Sequence, residues 1–137
     1  MKALTVLQPY ASMLIDGAKW VENRTWGTSY RGHLVIHAGQ GTRYLDEHES
    51  KLFPRGVAMG VVELVECVSL ADVRSNPDDF CERLHRVGVD VEAFLAHEHA
   101  EGPICWIVRR PRRFKSWVSW RGAQGLFEYQ GPLEFLA

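Results

Sequence analysis

The segment Gly17-Ala18-Lys19-Trp20-Val21-Glu22-Asn23-Arg24 places two cations and a carboxylate within a few residues of one another. Arg24 offers a planar fork of donors suited to phosphate. Lys19 is a mobile point charge that burial can retune, and Glu22 is an acceptor that can also carry a proton. Such a cluster is either a solvated surface strand or a site, because charged strand residues usually face water. In a regular strand Glu22 and Arg24 point to the same face and Lys19 to the other, and a turn or bulge after Gly17 would bring Lys19 round to join them. As an ordinary surface ion pair the group contributes only about 0 to 1 kcal/mol.

A second stretch, Arg109 to Arg121, holds Arg109, Arg110, Arg112, Arg113, Lys115 and Arg121 interleaved with Phe114, Trp117 and Trp120. Cations that track phosphates beside aromatic faces that stack on bases suit single-stranded nucleic acid. The competing reading is a basic hairpin, turning at Arg110-Pro111-Arg112, whose aromatics are core residues. His37 sits in an apolar run and is either a hydrogen-bonded core residue or a working one. His97 and His99 are two apart, which on a helix sends them to different faces, so no metal is expected there.

These residues need elements to hold them. Met1 to Leu7 reads as a strand, and Pro9 to Asp16 as a short helix that Gly17 can stop in left-handed geometry. Lys19 to Trp26 and Gly32 to His37 read as extended segments. Val57 to Val68 and Ile104 to Arg109 are apolar, β-branched runs expected to be strands. Pro77 to Arg86 and Asp90 to His99 have helical spacing, with Phe80, Leu84 and Val87 on one face. Strands at both ends with helices between them predict a mixed α+β fold. With 137 residues, 46% of them hydrophobic, the chain suits one cored domain. Cys67, Cys81 and Cys105 are odd in number and widely spaced, which predicts buried, reduced thiols and neither a disulfide framework nor a zinc site. No apolar run approaches the roughly 20 residues of a membrane span and no signal leader is evident, so a soluble, cytoplasmic protein without membrane contact is expected. Charge is unevenly spread. Arg43 to Glu101 carries six Lys/Arg against thirteen Asp/Glu, and the flanking pieces carry ten against four. If the termini fold together, that asymmetry gives a basic half suited to a polyanion.

Gln8-Pro9-Tyr10-Ala11-Ser12, the octapeptide, Tyr30-Arg31-Gly32, Ile36-His37-Ala38 and Gly122-Ala123-Gln124-Gly125-Leu126-Phe127 occur in that order. Together they resemble the ASCH domain family, whose hallmark Gly-x-Lys-x-x-Glu-x-Arg is filled by Gly17, Lys19, Glu22 and Arg24. The resemblance implies one domain over residues 1–137 with a helical, acidic insert at about 71–101. It also implies a PUA-like curved β-barrel with short helices packed at its openings, and a cleft lined by the octapeptide. It further implies a nucleic-acid or nucleotide-binding module for RNA, another single strand or a nucleoside, with Gln8, Lys19, Glu22, Arg24, Trp26, Tyr30, Arg31 and His37 at the site. Lys115 and Trp117 join them from the basic stretch. No cofactor or metal is expected. The alternative is a metal-independent ribonuclease or amidohydrolase acting on RNA or an acylated cytidine, with Lys19 and Glu22 as catalytic residues. The family's acyl-cytidine hydrolases carry a Thr three positions after the Lys, where this chain has Glu22. A protein-interaction module, using Trp26 or Trp117 and the acidic insert, is a third reading.

Overall fold

The structure is a computed structural model that describes residues 1–137. Its elements are β1 (Lys2–Val6), α1 (Tyr10–Asp16), β2 (Val21–Arg24), β3 (Gly32–Ala38), α2 (Glu47–Leu52), β4 (Val57–Ser69), α3 (Leu70–Ser75), α4 (Pro77–Arg86), α5 (Val91–Ala96), β5 (Ile104–Ser119) and β6 (Leu126–Glu128). Helices and strands are mixed, as expected. The six strands pair in the order β2-β5-β4-β3-β1-β6, with β1 parallel to β3 and antiparallel to β6. That order is open, with β2 and β6 at its ends, and the ladder does not close into the barrel that the resemblance implies. No helix is long and apolar enough to cross a membrane.

The chain forms two compact units, each assembled from separated stretches. The first comprises Met1–Lys19, His33–Glu63 and Arg110–Ala137. Its core gathers Ala3, Val35, Ala58, Val61, Phe114 and Tyr129, with Val118, Trp120, Phe127 and Phe135 packed against them. Pro9 is the N-cap of α1 and follows a cis peptide bond, and Gly17 ends the helix at φ 87°. Only a residue without a Cβ takes that geometry readily. The Lys19 N–H then donates to the Met13 carbonyl at 3.0 Å, which fixes the turn into the octapeptide.

The expected turn at Arg110-Pro111-Arg112 is absent, because β5 runs through it. Arg110 takes φ 52°, a local irregularity of the kind that lets a strand absorb a proline lacking an N–H. Beyond it the strand alternates. Phe114 is buried and Val118 packs on the core, whereas Arg113 and Lys115 are exposed. The C-terminal segment lies alongside, with the Lys115 N–H donating to the Glu134 carbonyl and the Leu136 N–H to that of Arg113, at 2.7 and 2.9 Å. Helix α2 was not expected. It has a complete capping box between Asp46 and Glu49 but no buried residue.

The second unit comprises Trp20–Gly32 and Leu64–Arg109. Val21, Val68, Val73, Leu84, Phe94 and Ile107 lie in its core. Helix α4 has the expected bounds, with Leu84 buried and Phe80 and Val87 partly so. Helix α5 stops short of His99 because His97 turns extended at its C-cap. The Ser69 side chain caps the unexpected α3 by accepting from the Asp72 N–H. Counted by unit, the first carries ten Lys/Arg against seven Asp/Glu, a net of +3, and the second six against ten, a net of −4. The basic unit is thus less basic than the sequence suggested, because residues 43–63 bring it more acids than bases while Arg24, Arg31 and Arg109 fall in the second unit.

Two polar clusters brace the second unit. Asn23 Nδ2 donates to the His99 carbonyl at 2.7 Å, and its Oδ1 accepts from the N–H groups of Glu101 and Gly102 at 3.0 and 2.7 Å. Glu66, buried in β4, accepts from Arg31 at 2.6 Å, from Arg83 through two bonds of 2.8 Å, and from the Cys67 N–H at 3.0 Å. Burial pushes the Glu66 carboxyl up, but the hydrogen bonds from Arg83, Arg31 and Cys67 outweigh it and hold the pKa down to about 2. The three cysteines are free. Burial, expected of all three, holds for Cys105, whose thiol is pushed up to about 11 by desolvation, whereas Cys67 is half-buried and Cys81 faces water on α4.

Two outcomes follow for stability. Asn23→Ala leaves two N–H groups and a carbonyl without their partner and should lower the unfolding free energy by about 2 to 3 kcal/mol, read from urea denaturation. Because the folded-state pKa of Glu66 lies below its ordinary 4.5, its contribution is fully present above pH 4.5 and is lost as pH falls toward about 2. Acid titration of Glu66→Gln beside the wild type should show that this segment of the stability profile is missing from the variant.

Candidate functional site

The chain passes from the first unit to the second between Lys19 and Trp20, inside the octapeptide. In the first unit Lys19 is only 3% exposed, with Nζ 4.5 Å from the centroid of the Tyr10 ring. Its stem comes off the turn that Gly17 makes, and the ammonium sits against the negative face of the aromatic ring. Gln8, expected to read a ligand, is fully buried and engaged at both ends of its amide. Nε2 donates to the Pro54 carbonyl at 2.8 Å, and Oε1 accepts from the Ser12 N–H at 2.9 Å. It joins the start of α1 to the chain ahead of β4.

In the second unit β2 carries Glu22 and Arg24 on one face, as the alternation predicts, and they form an ion pair of 3.0 Å. Both are withdrawn from water, Glu22 at 7% exposure and Arg24 partly. Trp26 is half-buried and meets Trp106 edge to face at 4.8 Å, and its carbonyl accepts from the Trp106 indole N–H at 2.9 Å. The Tyr30 N–H donates to the Thr28 hydroxyl at 3.0 Å. Arg31, expected to hold phosphate, instead donates to Glu66 and to the carbonyls of Thr28 and Tyr30. Its fork is engaged in folding the loop before β3.

The basic stretch divides by task. In the second unit Arg109 donates to the carbonyls of Val87 and Gly88, beyond the C-terminal end of α4. In the first, Arg110 pairs with Glu63 at 3.0 Å, and Arg112 lies 3.8 Å over the Phe135 ring. Arg113 and Lys115 remain exposed on the outer face of β5, where the Arg113 guanidinium sits 4.3 Å over the half-buried Trp117 ring. No group of three or more His, Cys, Asp or Glu side chains is placed to hold a metal ion.

His37 is a wall residue of the first unit, 3% exposed. Its Nε2 lies 2.6 Å from the Trp120 carbonyl, which can only accept, so Nε2 carries the proton. Nδ1, 3.1 Å from Thr5 Oγ1, then accepts from the hydroxyl. Burial lowers the His37 pKa below 6.5, only partly offset by the Trp120 hydrogen bond, so the ring is held neutral. Beside it opens a concavity of about 630 Å³, whose lining comes from separate stretches of the chain. Thr5, His37, Gln40, Trp120, Arg121 and Gln124 are among its lining residues. Its sequence signals are scattered: His37, the Trp120-Arg121 end of the basic stretch and Gly122-Ala123-Gln124-Gly125, which no local pattern joins. A neutral His37 in the fold stabilises fully above pH 6.5 and progressively less as pH falls below it, because the unfolded chain takes the proton first. An NMR titration of the ring should therefore give a midpoint below 6.5.

Three comparisons bear on kinship. The ASCH domain profile matches residues 4–124. Activating signal cointegrator 1 of Mus musculus is 35% identical over 83 residues, and that of Homo sapiens 37% over 82. Each alignment covers 48% of this chain but only 14% of the relative. Among solved structures, ASCH from Zymomonas mobilis superposes with a TM-score of 0.55 at 13% identity, covering 94% of this chain and 87% of that one, and a single-residue variant of it gives 0.54 at 14% identity. At that identity the likeness speaks to the fold alone. With the hallmark residues in place and the profile spanning most of its length, the chain belongs to the ASCH domain family.

Proposed function

We propose that this chain is a nucleic-acid-binding module of the ASCH type, taking RNA or another flexible single strand. The observation that carries the reading is the outer face of β5. Arg113, Lys115 and Trp117 fall on alternate positions there, with the guanidinium already seated on the indole. Cations at strand spacing suit successive phosphates, and a partly open indole suits a base. The +3 balance of the unit that holds this face favours an anionic ligand. The family's usual role agrees with the reading, and the open six-stranded sheet is the scaffold for it.

The hydrolytic alternative, with Lys19 and Glu22 exchanging a proton with RNA or an acylated cytidine, draws its support from the burial of both side chains, at 3% and 7% exposure. The Glu22–Arg24 ion pair of 3.0 Å opposes it, because it already engages the carboxylate.

Titration against fluorescent homopolymeric single-stranded RNA over a range of salt tests the first reading, and electrophoresis of the recovered RNA tests the second. Affinity should fall with salt. Arg113→Ala/Lys115→Ala should weaken binding and flatten the dependence of log K on log salt by about 0.7 per cation removed. A slope unchanged in the double variant would remove the β5 face as the binding surface. Intact RNA would leave a reader, and cleavage lost in Lys19→Ala would make the chain a nuclease.

A further inference from the structure

The concavity beside His37 lies wholly within the first unit, and none of the hallmark residues Gly17, Lys19, Glu22 and Arg24 lines it. Backbone hydrogen bonds frame it. The Gly56 N–H donates to the Ala38 carbonyl at 2.7 Å, and the Trp120 N–H donates to the Gly56 carbonyl at 3.1 Å. The segment that follows Trp120 is seated closely, because a Cβ on Gly122 would lie 2.6 Å from Thr5 Oγ1 and 2.8 Å from the His37 ring. His37 is committed on both nitrogens, to Thr5 and to Trp120, so it braces this wall and is not available as a base.

The lining is selective in its chemistry. Arg121 is its one charged residue, and no carboxylate faces it. Gln40, Gln124 and Ser119 bring side chains that both donate and accept, and all three are exposed at the lining. Trp120, half-buried, packs on Tyr129 at 4.7 Å and also lines the space. An aromatic wall, two amides and one unopposed guanidinium match a flat heterocycle that carries a phosphate. The volume of about 630 Å³ falls in the range of small-molecule sites. The second unit offers a contrast. Its concavity of about 310 Å³ is lined by Glu82 and Asp90 with no Lys or Arg, and would repel such an anion.

We propose that this concavity is a nucleotide-binding subsite that takes one unstacked nucleotide, its base beside Trp120 and read by the amides of Gln40 and Gln124, its phosphate on Arg121. The ligand class rests on the nucleic-acid reading above. The place does not, since the β5 residues that carry that reading, Arg113, Lys115 and Trp117, do not line this space.

The experiment is calorimetric titration of the whole chain with AMP, GMP, CMP and UMP, with the corresponding nucleosides and with inorganic phosphate. Arg121→Ala and Gln124→Ala are run in parallel, both at exposed positions, and urea unfolding confirms that each variant folds. At least one monophosphate should saturate the wild type. Arg121→Ala should weaken it about tenfold or more while leaving the weaker nucleoside affinity unchanged, and Gln124→Ala should weaken both nucleotide and nucleoside. No saturable monophosphate binding, variants that bind as the wild type does, or inorganic phosphate competing as well as the nucleotide would each overturn the assignment. Single-stranded RNA run alongside separates the two readings. RNA binding untouched by Arg121→Ala and Gln124→Ala, with no saturable monophosphate binding, removes the subsite and leaves the β5 surface. Monophosphate binding lost in those variants, with no RNA binding by the wild type, keeps the subsite and removes the RNA reader.

Discussion

A strand of four residues has two faces and no slack, and β2 is such a strand. Its pairing with β5 sets Val21 opposite Ile107 and Asn23 opposite Cys105 on one side, and Glu22 opposite Trp106 on the other. On the first side Val21 enters the core of the second unit and Asn23 gathers the chain from His99 to Gly102. On the second side Glu22 and Arg24 are left to face each other. A slip of one residue would exchange the two sets and bury the ion pair in an apolar core. The charged residues of the hallmark can therefore keep their arrangement only because the uncharged residues between them hold the register.

Charge in the sequence is a poor guide to charge at work. Six cations between Arg109 and Arg121 look alike on paper, yet the fold uses Arg109 to donate to the carbonyls of Val87 and Gly88 just beyond α4, Arg110 to meet Glu63, and Arg112 to cover a phenyl ring. What remains for an external anion is the smaller set of Arg113, Lys115 and Arg121. Arg31 is a similar case, because Glu66 takes its fork. A guanidinium can close a loop as readily as it can bind phosphate, since the same planar donors serve carbonyl, carboxylate and phosphate.

Local signals were legible and distant ones were not. Gly17 announced the end of α1, the spacing of Phe80, Leu84 and Val87 announced α4, and period-two alternation put Glu22 beside Arg24. Helix α2 was invisible because it buries nothing and so has no apolar stripe, and α3 because Leu70 and Val73 merge into the apolar run of β4. Glu66 gave no warning inside that run. Its partners Arg31 and Arg83 stand 35 and 17 residues away, and only the fold brings them together. The concavity by His37 is the extreme case, built from pieces at Thr5, His37 to Gln40, Gly56 and Ser119 to Gln124. Pro111 misled in the opposite direction, because a proline that reads as a turn can sit inside a strand wherever the ladder is already irregular.

The thiols lend the second unit a clock. Cys105 is fully buried, its thiolate is disfavoured by a pKa near 11, and its sulfur lies 3.6 Å from Asn23 Oδ1. Alkylation at that sulfur requires the region around Asn23 to open first, so at reagent levels where reclosing outpaces reaction its rate is the chemical rate scaled by the open fraction. Cys81, exposed on α4 in the same unit, reacts without any such event and supplies the reference rate within the same molecule. The ratio of the two rates is an intrinsic measure of how often the loop behind the hallmark strand lets go.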